Sequence, residues 1–465
     1  MENKIPNSVV QNYIKGNYRV VGKYKHTSMK PCHWLEQKLQ TGRMNRNCYK
    51  GYWGVKSETC IQNSPSYPYC THNCVFCWRL PENNLGYEFN CKPDEPSLLV
   101  DELILHHKNL INYAFKISEN LQNYFLMQLI LNYVWQSIKD ESNINYNYNN
   151  ILPEEKSDLE EESEELSEGF YQKSPFTFNK FLNKLKREFE GLTINKLEKA
   201  LKLLRNTGVL HAIKPDLYFI TMNALKELIN HQDILKLLDK FVTNESDIKK
   251  VYENAMNPSH AAISLEGEPT LYPYIGELVS EFRKRRFTTF IVSNGTNPNA
   301  IQNMSDNNNL PTILYITLPT PDYNSYIKIF RPRLKDNWDN IKKTLNLLRD
   351  LKCRTVLRIT CVNELTLKDE FIKEYVNIIN QAKPNFVDLK SFTVEAGAVD
   401  INKRLGTTQS SSFYVPSYKR LKDFALKICN LGGFEIIKEH IPSRDILIQV
   451  RWPKNKSIII QENEK

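Results

Sequence analysis

Seven of the ten cysteines, Cys32, Cys48, Cys60, Cys70, Cys74, Cys77 and Cys91, fall within the first fifth of this 465-residue chain, and that crowding constrains the fold more than any other feature. The opening residues MENKIPNSVVQNY lack the apolar core of a secretory signal. A disulfide framework is therefore not expected, and the crowded thiols read as metal-binding or redox-active. Cys353, Cys361 and Cys429 lie singly among apolar neighbours and read as small buried hydrophobes. Residues 1 to about 100 are rich in Tyr and basic residues and poor in periodicity, as expected where ligands fix the backbone.

Charge narrows the partner. Residues 154–168 (EEKSDLEEESEELSE) hold nine acids against one Lys, so setting this net −8 aside from the chain's +9 leaves a body of net +17. A basic body implies a polyanionic partner, nucleic acid first. A mean hydropathy of −0.50 and the lack of any long apolar run exclude a membrane-embedded chain, and 24 Tyr with 21 Phe exclude a wholly disordered one. The expected location is the cytoplasm.

Texture changes along the chain. From about 101 to 250 the pattern is mostly helical, broken by NYNYNN and the acidic run. Ile194, Leu197, Leu201 and Leu204 recur at helical spacing, Gly208 follows as a stop, and VLHAI and LYFIT flank Lys214-Pro215-Asp216 as a hairpin. Together they suggest a small winged-helix-like module at 175–230. From about 255 the runs AAISL, TTFIVS, ILYITL, TVLRIT, FVDLKSF and DILIQV alternate with amphipathic helices such as PYIGELVSEFRKRR and WDNIKKTLNLLRDL. This alternation predicts an α/β fold with a parallel sheet closed partly into a barrel, its active site at the strand C-termini.

The loop Cys70-Thr-His-Asn-Cys74-Val-Phe-Cys77 is a C-x3-C-x2-C motif. Three such thiolates can hold three corners of an iron–sulfur cluster and leave one iron open. Zinc wants four ligands, usually as separated pairs, and His72 is badly placed to be the fourth. The spacing resembles the radical S-adenosylmethionine (SAM) enzymes, with Phe76 at their aromatic position. Glu266-Gly267-Glu268-Pro269 resembles the motif that holds the SAM ammonium group in that superfamily, and Ser293-Asn294-Gly295-Thr296 ends the next strand. The resemblance implies a partial (β/α)6 TIM-like radical SAM barrel.

Cys32, Cys48 and Cys60 could hold a second cluster, again with an open iron. Here the text becomes more specific. Cys32-His33-Trp34, Cys48-Tyr49-Lys50, Gly54-Val55-Lys56-Ser57, Cys74-Val-Phe-Cys77-Trp78-Arg79 and Glu268-Pro269-Thr270-Leu271-Tyr272-Pro273 resemble the archaeal-type tRNA 4-demethylwyosine synthase family. Asn257-Pro258-Ser259-His260, Phe330-Arg331-Pro332, Arg354-Thr355-Val356-Leu357-Arg358 and Ser443-Arg444 continue the likeness. It covers about 20–100 and 250–450, without a flavodoxin-like domain and without a counterpart for the helical insert. The resulting division is a Cys-rich segment 1–66, cluster loop and barrel start 67–110, insert 111–250, barrel remainder 251–452 and tail 453–465.

The resemblance implies a reaction on tRNA-Phe carrying N1-methylguanosine next to the anticodon. A [4Fe-4S] cluster on Cys70, Cys74 and Cys77 would cleave SAM to a radical that activates the N-methyl group. Addition to pyruvate, loss of its carboxylate and ring closure would give 4-demethylwyosine, a carbon–carbon lyase outcome. Two [4Fe-4S] clusters, SAM, pyruvate, a flavodoxin- or ferredoxin-like electron donor in trans and a monomeric state follow from this reading. Pyruvate would chelate the second cluster's open iron or form an imine with a lysine, Lys56 first and Lys50 second. Arg283, Lys284, Arg285 and Arg286 offer a basic patch or a helix C-terminus. Trp53, Trp78 and Tyr52 offer a stack for an extruded base or ordinary core packing.

Two other readings compete. A different radical SAM enzyme with an auxiliary cluster, acting on RNA or peptide, would cleave SAM without depending on pyruvate. A zinc-stabilised RNA-binding protein would be colourless and stable in air.

Overall fold

The computed structural model describes residues 4–41, 44, 46–79, 83–112 and 245–461, with the short pieces 126–127, 130, 176–177, 200–202, 204, 210–214 and 217–220. The chain divides into two units, one made of 1–35, 47–110 and 254–465, the other of 36–46 and 111–253. Among the described residues no helix is long and apolar enough to cross a membrane.

Ten strands form one sheet in the first unit. They are β1 (Arg19–Val21), β2 (Thr27–Met29), β3 (Cys60–Ser64), β4 (His260–Ile263), β5 (Thr288–Ser293), β6 (Ile313–Thr317), β7 (Arg354–Cys361), β8 (Phe386–Ser391), β9 (Glu435–His440) and β10 (Asp445–Gln449). Their spatial order is β1-β2-β3-β4-β5-β6-β7-β8-β10-β9. The six strands from β3 to β8 run parallel, and antiparallel pairs flank them. Parallel strands covered on both faces need continuous apolar runs, and HAAI and ILYIT have them.

Helices cover the outer face. Ile275–Lys284 buries Ile275, Leu278, Val279 and Phe282, one stripe of its surface, and ends in Arg283 and Lys284, where cations suit the helix dipole. Asn297 caps Pro298–Asp306 by accepting from the Ala300 amide, and Asp322 caps Tyr323–Phe330 through Ser325. These helices and the outward strand residues make the larger core. A second core takes Cys60, Ala262, Phe290, Tyr315, Val356, Phe386 and Leu447 from seven successive strands. Trp53 spans this core, bonding Tyr315 of β6 and packing on Phe386 of β8, and the inner face closes around it as the expected partial barrel does.

Two expectations change. The first parallel strand is β3, within the segment read as a separate Cys-rich module, because its residues Cys60–Ser64 pair with β4. DILIQV is β10 and runs antiparallel to β8, because it returns from β9 in a hairpin.

In the second unit, strands 210–214 and 217–220 pair antiparallel, from Leu210 opposite Ile220 to Lys214 opposite Leu217. Residues 176–177 add a third strand beside 217–220. The hairpin therefore forms where the sequence placed it. Ala200, Leu201 and Leu204 are helical and buried. Ile194, Leu197, Gly208, the turn residues 215–216 and the acidic run 154–168 lie outside the described residues.

Candidate active site

The cluster loop follows β3 and is fixed by backbone bonds rather than by a helix. Cys70 N–H donates to Gly86 O (2.9 Å), Val75 N–H to Ile329 O (2.9 Å), and Asn73 N–H to Phe330 O and Arg331 O (3.2 and 3.0 Å). Arg333 N–H donates back to Thr71 O (2.9 Å), so Phe330-Arg331-Pro332 serves as the loop's edge partner. Arg404 closes the other side, its guanidinium donating to Cys77 O (2.6 Å), Val75 O and Arg79 O (both 3.3 Å). Gly397 N–H reaches Trp78 O at 2.7 Å, and a Cβ there would lie 2.7 Å from Arg79 O. Phe76 packs edge-on against Phe330, with centroids 5.2 Å apart.

Burial first, and then Cys77 and Cys70, push the Cys74 thiol well above its ordinary value. Burial likewise raises Cys70. Three thiols this close ionise together only when positive charge compensates them. Arg79 supplies part of it: the guanidinium is 4% exposed, interacts with Cys70 and Cys77, and leaves Nε and Nη1 without hydrogen-bond partners. Cluster iron would supply the rest, so the loop fits an iron–sulfur cluster. His72 is no ligand here, since its Nε2 bonds Tyr326 Oη at 2.7 Å and burial lowers its pKa to about 3.

The strand ends beside the loop distinguish the two glutamates. Glu268 is saturated: Oε1 accepts from Thr270 N–H (3.1 Å), Thr270 Oγ1 (2.6 Å) and Ser293 Oγ (2.7 Å), and Oε2 from Asn294 N–H (2.7 Å). Its carboxylate is a brace between the ends of β4 and β5. Glu266 accepts from Tyr18 Oη at 2.5 Å through Oε1, while Oε2 is buried without a partner. Gly267 sits at φ +69°, and a Cβ there would lie 2.3 Å from Ser66 O, so only glycine permits this approach. Asn294 Nδ2 donates to Thr71 Oγ1 at 2.8 Å and lies 3.8 Å from Cys70 Sγ. Glu266, Gly267, Glu268, Pro269, Ser293 and Asn294 thus form one cradle against the thiol loop.

A second thiol group lies in the same unit. Cys32 precedes the helix His33–Thr41, Cys48 precedes the 3-10 turn Tyr49–Trp53, and Cys60 opens β3. The Cys48 amide donates to Ser57 Oγ, and the Ser57 amide to Asn47 Oδ1, both at 2.9 Å. Burial, together with their mutual repulsion, pushes Cys32 up to about 11 and Cys60 up to about 12. Lys50 is 7% exposed among them. Burial opposes its charge, but Tyr49 and the thiols of Cys48, Cys60 and Cys32 outweigh it and hold its pKa above the ordinary lysine value. Lys50 Nζ makes no hydrogen bond among the described residues, whereas Lys56, the first lysine expected from sequence, is exposed to solvent.

Among the described residues no three His, Cys, Asp or Glu side chains converge as ligands of a single metal ion do. Thiols that interact without meeting at a point suit separate corners of a cluster. Cys91 stands apart from both groups, in a core with Tyr13, Tyr67 and Tyr69.

Several expected nucleic-acid contacts are used internally. Trp53 is fully buried and donates to Tyr315 Oη at 2.7 Å, and Tyr52 Oη donates to Asp445 O at 2.8 Å. Only Trp78 is half-buried. In the basic run, Arg283 donates to Asn308 O and Leu310 O, Lys284 pairs with Glu281, and Arg285 pairs with Glu281 and Asp101. That run is a helix C-terminus. Sequence reading gave no role to Arg79, Arg404, Asp388 or Lys390. The last two had a visible signal, being charges at alternate positions of the otherwise apolar strand FVDLKS.

Fold and thiol loop point to one class, and the Radical SAM superfamily pattern matches residues 235–376. The particular resemblance, to tRNA 4-demethylwyosine synthase, holds along nearly the whole chain. The S-adenosyl-L-methionine-dependent tRNA 4-demethylwyosine synthase of Pyrococcus horikoshii is 29% identical over 446 residues, 96% of this chain and 89% of the relative. That match runs through the insert, which the motifs alone had left without a counterpart. The human protein TYW1, described by the same activity, is 22% identical over 442 residues, 94% of this chain and 40% of the relative. A structure of TYW1 with a lysine-pyruvate adduct bound superposes with a TM-score of 0.58 at 22% identity, covering 98% of this chain and 99% of that one. The crystal structure of archaeal TYW1 gives 0.53 at 20% identity, covering 98% and 100%.

Proposed function

We propose that this chain converts N1-methylguanosine next to the anticodon of tRNA-Phe, with pyruvate, into 4-demethylwyosine. The observation that carries the reading is Lys50, an amine buried among Cys32, Cys48 and Cys60 inside a radical SAM barrel. When bound, a [4Fe-4S] cluster with an open iron supplies reductive cleavage of SAM to methionine and a 5'-deoxyadenosyl radical. Cys70, Cys74 and Cys77 would hold that cluster, and Cys32, Cys48 and Cys60 a second one. Glu266 and Gly267 would meet the SAM amino group, with Glu268 holding the two strand ends in place.

Lys50, an ammonium among these neighbours, first gives up a proton to solvent; the neutral Nζ then attacks the keto carbon of pyruvate, and loss of one water leaves an imine that keeps the acid next to the second thiol group. This amine is favoured over Lys56 because Lys56 lies in solvent. The polyanionic partner fits the +17 body. An electron donor of flavodoxin or ferredoxin type in trans, a monomeric state and a cytoplasmic location complete the reading.

The test is nucleoside mass spectrometry of tRNA-Phe carrying N1-methylguanosine, after anaerobic incubation with reconstituted protein, dithionite, SAM and pyruvate. The expected result is a pyruvate-dependent mass for 4-demethylwyosine. If 5'-deoxyadenosine forms while the tRNA stays unchanged, the class stands and the substrate is wrong.

A further inference from the structure

Four charged side chains face the inside of the barrel where a strand core is ordinarily apolar. Arg358 of β7 lies opposite Asp388 of β8 in the parallel register, and Lys390 of β8 opposite Asp445 of β10 in the antiparallel one. Arg358 donates from Nε (2.8 Å) and Nη2 (2.5 Å) to Asp388 Oδ2. Lys390 Nζ lies 3.5 Å from Asp445 Oδ2 and donates to Ser443 O at 2.5 Å. Asp388 and Asp445 are 1% and 0% exposed.

The two cations do not end in these pairs. The Tyr49 ring has Arg358 Cζ at 4.4 Å, Lys50 Nζ at 5.0 Å and Lys390 Nζ at 5.8 Å from its centroid. Three cations from three parts of the chain thus surround one ring. Arg358 Nη1 makes no hydrogen bond among the described residues, and the Arg358 and Lys390 side chains are 11% and 21% exposed, so neither is sealed. Burial and the neighbouring Asp388 raise Asp445 well above the usual carboxylate range, which favours its protonated form and leaves the group with an excess of positive charge. Buried positive charge with free donors calls for a small anion.

We infer that Arg358 and Lys390, steadied by Asp388 and Asp445, hold the carboxylate of the α-keto acid whose carbonyl meets Lys50. The inference rests on the lysine–pyruvate reading and adds the device that selects an acid over its neutral analogues. The planar guanidinium and the ammonium present donors to the two carboxylate oxygens, and Lys50 waits on the same ring for the adjacent carbon.

The experiment is equilibrium dialysis of labelled pyruvate, and of its neutral amide pyruvamide, against the anaerobically reconstituted protein without SAM. Removing Arg358 alone would strand a buried Asp388 carboxylate and risk the fold, so the pair is replaced together as Arg358→Met with Asp388→Leu. Lys390→Met is the second variant. Wild type should bind pyruvate at least about tenfold more tightly than pyruvamide, and each variant should lose about tenfold on pyruvate and nothing on pyruvamide. Equal affinity of wild type for acid and amide overturns the inference. So does an undiminished preference for the acid in either folded variant, which would place the carboxylate on iron. A variant that binds no iron is misfolded and the other decides. Borohydride trapping separates the two readings: pyruvate still trapped in Lys50→Ala refutes the lysine but leaves the dialysis result on the carboxylate standing.

Discussion

Lys50 and Lys56 lie on one short stretch between Cys48 and Cys60, yet only Lys50 turns inward. The 3-10 turn Tyr49–Trp53 carries Lys50 under the Tyr49 ring, and Gly54 at φ +83° then reverses the chain. Lys50→Ala should abolish 4-demethylwyosine and borohydride-trapped pyruvate, while uncoupled cleavage of SAM persists. Lys56→Ala should change product yield by no more than about twofold, as a solvent-facing substitution does. The same nucleoside assay reads both variants, and a Lys56 variant without product would reverse the assignment. Gly267→Ala combines a positive φ with a 2.3 Å approach to Ser66 O, a strain above about 1 kcal/mol at the proposed SAM cradle. Its affinity for SAM should fall at least tenfold, with iron content unchanged; wild-type affinity would dismiss the cradle.

At the scale of elements, the cluster loop has little regular structure and borrows rigidity from the 329–333 segment and from Arg404. Arg404→Ala removes three donors to loop carbonyls, each worth about 1 kcal/mol. Iron retained through anaerobic gel filtration should drop in this variant and not in Lys403→Ala, whose side chain is 78% exposed. Helix 96–112 offers a pH test through His107, which bonds Ala255 O at 3.0 Å. Burial lowers its pKa to about 4. A base with a depressed folded pKa binds more protons when unfolded, so its stability contribution holds above pH about 6.5 and is lost as pH falls toward 4. His107→Gln should flatten the fall of the thermal midpoint across that window; an unchanged slope would assign the acid sensitivity to other groups.

For the whole molecule, both thiol groups and every charged residue around Tyr49 belong to the first unit. Replacing residues 140–245 with a short linker should leave pyruvate trapping and SAM cleavage in place, measured on the same anaerobic preparation. Loss of trapping would make the insert part of the site. Cys60→Ala should lower iron per chain by about half and yield 5'-deoxyadenosine without the tricycle. Tricycle from this variant would remove the second cluster from the reaction.

By itself the sequence determined the thiol loop, the six strand-like runs and the insert's hairpin, because those signals are local: a spacing of three and two, apolar runs of four to six, two strands around a turn. It also placed Glu266, Gly267, Glu268 and Ser293 together at strand ends. Tertiary structure alone decided which glutamate is closed by four hydrogen bonds, which lysine is buried and that Trp53 belongs to the core. Those outcomes depend on partners such as Asn294, Tyr18 and Tyr315, up to 262 positions away along the chain. It decided, too, that Cys60–Ser64 opens the barrel and that β10 runs backward. Strand direction is set by what the edge can pair with, and no run of five residues carries that information.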